Sequence, residues 1–309
     1  MAKYEVRPWS GEPPALAGLG AWYQRDYLTT LRQLEPRRVE LFGIYAGEQP
    51  RLFLPLYQRG GRGLLPALAA FFGPSPLAEL KESAWLACVE ALTDWLRQRR
   101  LSEIRFILPP SVGDVRPFLW NGWEVTPRYT YLVEPVGAAG YSPAVRRQLK
   151  KAVGLGLAVQ QTSNPAPLYQ LYSKLMRRQG LPCASRKLVE SLAAEGEIYE
   201  ARRSDGSLSA AVLLNEDDGF GYYTLAASAA DSHGDGAPSL LVDHLLTLLQ
   251  SKGKKFDFVG ANTPRLCRFK RGFGGALVGY YQLRLRLRPV NQLLSTLYRK
   301  VRRGKAPRR

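Results

Sequence analysis

The sequence is poor in the residues that hold metals and disulfides. Its 309 positions include three cysteines, Cys88, Cys183 and Cys267, and two histidines, His233 and His244. The cysteines are widely spaced, odd in number and without a CxxC pair, which argues against a disulfide framework and against a zinc site. The histidines add no ligand spacing, so no metal is expected. Nothing in the order of residues brings Cys183 and His233 together for thiol catalysis. His244, off the leucine face of its helix, reads as a solvated side chain. No window approaches the roughly 20 apolar residues that a membrane span requires, and residues 1–6 are no apolar leader, so a folded cytoplasmic protein is expected.

Acid is the second absence. The formal net charge is +18, and it is unevenly spread: residues 136–189 hold nine Lys or Arg and no Asp or Glu, and residues 258–309 hold fourteen with none. The rest of the chain carries 21 cations against 26 acids. The whole excess therefore sits in two segments. Solubility does not require acids to be excluded so sharply, whereas a polyanionic partner does: nucleic acid, anionic lipid headgroups or a nucleotide-linked substrate.

Core-forming residues are plentiful, with 45% hydrophobic and 11% aromatic positions, over a length that favours two domains. Residues 39–45 and 51–57 are apolar-rich runs on either side of Ala46-Gly-Glu-Gln-Pro50, a hairpin pattern. Residues 82–99 carry Trp85, Leu86, Val89, Leu92 and Leu96 at helical spacing. A strand at 103–108, a short helix at 115–120 and a strand at 130–134 complete a β-β-α-β-α-β order.

The second half has a similar succession. Ser142-Pro143 reads as the N-cap and first-turn proline of a helix with Val145, Leu149 and Ala152 on one face and Arg146, Arg147, Lys150 and Lys151 on the other. Helices at 168–179 and 186–194 follow, then strands at 198–202, 208–214 and 221–227. A helix at 239–250, a strand through Phe256, Phe258 and Val259, and a final strand at 277–287 end the pattern. The expected fold class is α+β: two tandem domains, 1–138 and 139–288, each a mixed sheet flanked by helices. A basic tail, 289–309, sets Leu293, Leu294, Leu297 and Val301 among Arg299, Lys300, Arg302 and Arg303.

The richest chemistry lies at 255–275, where a short strand runs into a basic, glycine-bearing turn. Gly272, Gly274 and Gly275 follow Lys270 and Arg271 and let backbone approach a ligand closely, as a phosphate-bearing substrate requires. A packing turn with its cations in water is the alternative. Asp257, between two core aromatics, is a candidate general base or orienting carboxylate. Asn262 stands where it could contact a ligand or simply form a turn. Tyr222, Tyr223, Tyr280 and Tyr281 are candidates for a substrate groove, at most one of each pair, because neighbours on a strand face opposite sides.

Phe256-Asp-Phe-Val-Gly260, Phe269-Lys-Arg-Gly-Phe-Gly-Gly275 and Tyr280-Tyr281 resemble the C-terminal part of the Fem family of aminoacyl transferases and the related GNAT-like acyltransferases. So do Arg146-Arg-Gln-Leu-Lys-Lys-Ala152, the helix Leu168-Tyr-Gln-Leu-Tyr172 with Arg177-Arg178, and Ser209-Ala-Ala-Val-Leu-Leu214. The resemblance covers roughly residues 140–288, and the first half more weakly as a degenerate copy. It implies tandem GNAT domains that move an acyl or aminoacyl group onto an amine, in cell-envelope or peptide biosynthesis. The donor would be aminoacyl-tRNA or an acyl-CoA, as a co-substrate and not a tightly bound cofactor, and the acceptor nucleotide- or lipid-linked.

By that resemblance Lys270 holds phosphate or stabilises the oxyanion, Arg271 and Arg178 assist in binding substrate, and Arg146, Arg147, Lys150 and Lys151 meet a polyanion. An amine attacking an ester or thioester needs no covalent nucleophile. Acetyl-CoA enzymes of the GNAT type seat pyrophosphate at a glycine-rich helix N-terminus. The corresponding segment here, Asp231-Ser-His-Gly-Asp-Gly-Ala-Pro238, places Asp231 and Asp235 where that pyrophosphate would sit. An acetyl-CoA-dependent N-acetyltransferase is the second expectation, and a non-catalytic basic module for nucleic acid or anionic membrane the third. The basic tail suits peripheral contact with the inner face of a membrane. Lys270, read as an exposed loop cation, is expected to be replaceable by Ala with loss of transfer but little loss of stability.

Overall fold

The first hairpin forms between β2 (Val39–Ala46) and β3 (Gln49–Arg59), whose register closes Ala46 on Gln49 across Gly47 at φ 61°. Only a residue free of Cβ strain turns the chain so tightly there. The structure is a computed structural model that describes residues 3–14, 22, 25–34, 38–134, 140–232 and 234–287. His233, the basic tail and most of the segment expected to join the halves lie outside the described residues.

Before the hairpin come β1 (Tyr4–Pro8) and α1 (Arg25–Leu34), and after it β4 (Arg62–Leu64), β5 (Ser75–Pro76), α2 (Glu82–Gln98), β6 (Glu103–Leu108), α3 (Arg116–Trp120) and β7 (Glu124–Val133). The second half runs α4 (Pro143–Gly154), β8 (Ala158–Thr162), α5 (Ala166–Gln179), α6 (Arg186–Ala194), β9 (Gly196–Arg202), β10 (Leu208–Glu216) and β11 (Phe220–Ser228). It ends with α7 (Ala237–Ser251), β12 (Lys255–Asp257), α8 (Pro264–Lys270) and β13 (Ala276–Arg286). β1, β4, β5 and β8 carry no clear periodicity and were not legible; α1 was passed over although Tyr27, Leu28, Leu31 and Leu34 stand at helical spacing. β7 begins six residues earlier than its apolar run, because 124–129 pair with β13 despite charged and proline residues. β12 stops at Asp257, since Val259 sits at φ 53°, a conformation that a β-branched residue in a strand does not take.

All described strands share one mixed sheet in the order β1-β2-β3-β4-β6-β13-β7-β12-β11-β10-β9-β8, with β5 beside β3. β13 enters between β6 and β7, and β7 in turn pairs with β12. The two halves of the sequence interlock at the centre of the sheet. Two apolar clusters lie on one face, under α2 and α3 and under α4 and α7. A third fills the opposite face with α1, α5 and α6 and draws on both halves. Within it Trp22 meets Phe71 and Tyr222 edge-on at 5.5 and 5.6 Å, and Phe71 meets Tyr280 at 5.6 Å. Each such edge-to-face pair adds about 1 kcal/mol beyond burial, which ties the halves together.

Candidate active site

β11 and β12 are parallel neighbours only from Phe220 to Tyr222, after which β12 ends and β11 continues to Ser228. The strands part at their carboxyl ends, the place where sheets with parallel strands hold ligands. Gly260, at φ 98°, turns the departing chain, and a Cβ there would lie 3.3 Å from the Tyr280 hydroxyl.

Asp257 closes β12 and is almost fully buried. Its Oδ1 accepts from the Thr130 hydroxyl at 2.5 Å and from the Val259 N–H at 2.7 Å. Thr130 Oγ1 also accepts from the Gly260 N–H at 3.0 Å. Burial raises the Asp257 carboxyl to about 6, against the Thr130 hydroxyl, the Val259 N–H and the charge on Lys270, which pull it down. A buried carboxyl near neutrality suits proton transfer.

Lys270 overturns the reading of an exposed loop cation: it is 5% exposed. Residues 264–270 form a helix capped by Thr263 Oγ1, and that helix turns its last residue inward. Lys270 Nζ donates to the Phe258 carbonyl at 2.7 Å and to the Gly260 carbonyl, between the rings of Tyr223 and Phe258 at 5.7 and 5.6 Å. Burial lowers its ammonium to about 8, opposed by Asp257. An ammonium has three N–H donors, and two are used.

The glycines after Lys270 admit protein, not ligand. A Cβ on Gly272 would lie 2.8 Å from Val145 Cγ2 on α4, on Gly274 2.7 Å from the Gly140 carbonyl, and on Gly275 2.8 Å from the Leu132 carbonyl. Of the packing-turn alternative, the packing glycines hold and the water-facing Lys270 does not. Arg271 is exposed. Asn262 uses both ends of its amide: Oδ1 accepts from the Tyr129 N–H at 2.9 Å and Nδ2 donates to the Tyr280 hydroxyl at 3.0 Å. Tyr280 is buried with its hydroxyl at this turn. Tyr222 and Tyr223 face opposite sides, as strand geometry requires. Tyr222 is core, bonded to Asp217 Oδ2 at 2.7 Å, and Tyr223 packs beside Lys270.

Arg178 stands elsewhere, on α5, where with Lys174, Arg177 and Leu171 it lines an open pocket of about 230 Å³. The other wall is Ser228, Ala229 and Ala230, at the carboxyl end of β11. The three cations have no acidic partner among the described residues. Arg146, Arg147, Lys150 and Lys151 form the outer, exposed face of α4. His244 is half-buried against the Tyr199 ring at 4.9 Å, contrary to a solvated side chain, and burial lowers its pKa.

The N-terminus of α7 is occupied by the protein itself. Asp235 Oδ1 accepts from the Ala237 N–H at 2.9 Å, while Oδ2 takes the Ser209 hydroxyl and an Arg203 N–H at 3.4 Å. A Cβ on Gly236 would lie 2.2 Å from the Gln148 carbonyl, so α4 closes over this end. An internal carboxylate thus holds the position of an anion.

Thr130, Lys174 and Arg177 were missed as site residues. The two cations had a signal, a basic stripe at i, i+3 and i+4 with Arg178. Thr130 had none, being 127 positions from its partner.

No protein-family model matches the chain, and no curated protein matches it. Solved structures do resemble it. A structure of FemX superposes with a TM-score of 0.60 at 12% identity, over 93% of this chain and 95% of that one. L-PGS from Bacillus licheniformis gives 0.60 at 11% identity, over 92% and 98%. A tandem GNAT protein from the clavulanic acid biosynthesis pathway gives 0.51 at 11% identity, over 94% and 100%. At such identities the likeness speaks for architecture alone. The chain has the fold of FemX and of the tandem GNAT protein.

Proposed function

We propose that the protein transfers an acyl or aminoacyl group from an activated ester to an amine acceptor where β11 and β12 part. The observation that carries this reading is that Asp257 and Lys270, groups of opposite charge, are both buried at the end of β12, with one ammonium N–H uncommitted among the described residues. The acceptor nitrogen attacks the ester carbonyl, its C–N bond forms, and the C–O bond to the donor breaks after an oxyanion intermediate. Lys270 directs its third N–H at that oxyanion. Asp257, whose two accepted hydrogen bonds both fall on Oδ1, takes the amine proton on Oδ2 and returns it to the donor oxygen as the C–O bond breaks, so that the donor leaves as an alcohol.

Aminoacyl-tRNA is the donor favoured over coenzyme A. The α7 N-terminus that would seat a pyrophosphate already holds Asp235, and the exposed cations of α4 suit a nucleic-acid backbone. The pocket of Lys174, Arg177 and Arg178 suits a phosphate-bearing acceptor, nucleotide- or lipid-linked, at the open end of the same strand pair.

The test supplies purified protein with a mixture of labelled aminoacyl-tRNAs and phosphate-bearing amine acceptors and follows label into an alkali-stable amide. Transfer by the wild type and its loss in Lys270→Met is the expected result. Amide formation from acyl-CoA alone would replace the donor, and equal turnover by both proteins would remove Lys270 from the reaction.

A further inference from the structure

Helices cover one face of the sheet in two blocks and, among the described residues, leave a strip between them bare. Leu283 and Leu285 of β13 lie in the cluster under α2 and α3. Tyr131 and Val133 of β7 lie in the cluster under α4 and α7. Between the blocks, Pro127 and Tyr129 of β7 and Leu277 and Gly279 of β13 are all exposed on that face. The register sets Tyr129 opposite Gly279 and Tyr131 opposite Leu277. α8 forms a bank of the strip, since Tyr131 OH lies 3.2 Å from Cys267 Sγ and Leu266 beside it faces outward. Tyr129, Leu266 and Leu277 are 44%, 43% and 55% exposed. The apolar face of a sheet is ordinarily covered, and grouped large apolar side chains mark a surface that something else covers.

Charge indicates what covers it. α8 and the turn after it add Arg265, Arg268 and Arg271, all exposed and none paired with a carboxylate among the described residues. The acids of this region stand at the ends of the strip and are already paired, Glu124 with Arg284 and Arg286 and Glu134 with Lys255. A polyanion such as RNA would satisfy the arginines and stack on Tyr129, but it would leave Leu266 and Leu277 in contact with water and phosphate. A bilayer satisfies both kinds of group: tyrosine and leucine enter the headgroup boundary while arginines meet lipid phosphates. We propose that the strip of Tyr129, Leu266 and Leu277, with Arg265, Arg268 and Arg271 around it, docks the protein on an anionic lipid surface. This contact is independent of the transfer reaction and lies on the helix that ends in Lys270.

The test uses the full chain in a Cys183→Ser background, with Leu277→Cys carrying an environment-sensitive fluorophore. Vesicles of phosphatidylglycerol should blue-shift its emission and vesicles of phosphatidylcholine should not. Replacing Tyr129, Leu266 and Leu277 together by Ser should weaken sedimentation with phosphatidylglycerol vesicles roughly fivefold or more, with the circular dichroism spectrum unchanged. A label that stays water-like while the protein sediments would place the contact elsewhere, for instance in the basic tail, and overturn the proposal. Failure to bind the vesicles, or an equal shift on adding RNA, would overturn it as well.

Discussion

Thr130 Oγ1 donates to Asp257 Oδ1 at 2.5 Å, and the same oxygen accepts from the Gly260 N–H at 3.0 Å. One hydroxyl from a strand of the first half therefore fixes both a carboxylate and a turn of the second. Thr130→Val keeps the shape and removes both bonds. The Gly260 N–H and the Asp257 carboxylate are then left buried short of a partner, so unfolding should become easier by about 2 kcal/mol. Because the hydroxyl holds the Asp257 carboxyl down, its loss should also move the acid limb of any activity profile to higher pH. Urea unfolding and a pH–rate profile measure the two effects. Lower stability with an unmoved limb would leave Thr130 structural only.

Lys270 was read from the sequence as dispensable for stability, and its burial reverses that. Lys270→Ala leaves the Phe258 and Gly260 carbonyls without their donor and Asp257 without its neighbouring cation. We expect a loss of about 3 kcal/mol, the order for leaving two buried carbonyls short of a donor. Denaturant midpoints at constant m-value would show it. A change under about 0.5 kcal/mol, typical of surface positions, would contradict the burial.

How much of this was legible follows from sequence distance. Asp257, Asn262 and Lys270 could be named together from the sequence because a short strand, a turn and a seven-residue helix keep them local. Thr130 reaches the same point through β7, and no local pattern records strand pairing over such a separation. Glycine was visible at 272, 274 and 275, but not what approaches it. The approaching groups are Val145, Gly140 and Leu132, all far upstream. Most helices and most central strands were legible because amphipathic periodicity is a local property; short strands such as β4, β5 and β8 lack the length to express one.

The α5 pocket offers a separable effect. Lys174, Arg177 and Arg178 are exposed and unneutralised, so substitution by Gln should leave stability within about 0.5 kcal/mol. Each lost charge-assisted hydrogen bond to an anionic substrate costs about 1.5 kcal/mol, roughly tenfold in KM with kcat little changed. Steady-state kinetics with the acceptor varied would read this, and a fall in kcat at constant KM would place these cations at the reacting atoms instead.

Stability against pH isolates Asp257. Its folded value, raised to about 6, lies above the unfolded value of roughly 4. The folded state therefore holds this proton more tightly, and the group's contribution is fully present below about pH 4 and lost as pH rises through about 6. The span amounts to about 3 kcal/mol. Asp257→Asn has no such proton, so the wild type should lose stability relative to the variant between pH 4 and 7. Lys270, lowered to about 8, binds its proton less tightly when folded, and its share of stability should rise only between about pH 8 and 10.5. Activity needs Asp257 ionised and Lys270 protonated, so its profile should be a bell with limbs near 6 and 8. Lys270→Arg, which stays charged at any accessible pH, should abolish the alkaline limb in whatever activity remains while leaving the acid limb in place. An alkaline limb that persists in Lys270→Arg would assign that titration to another group.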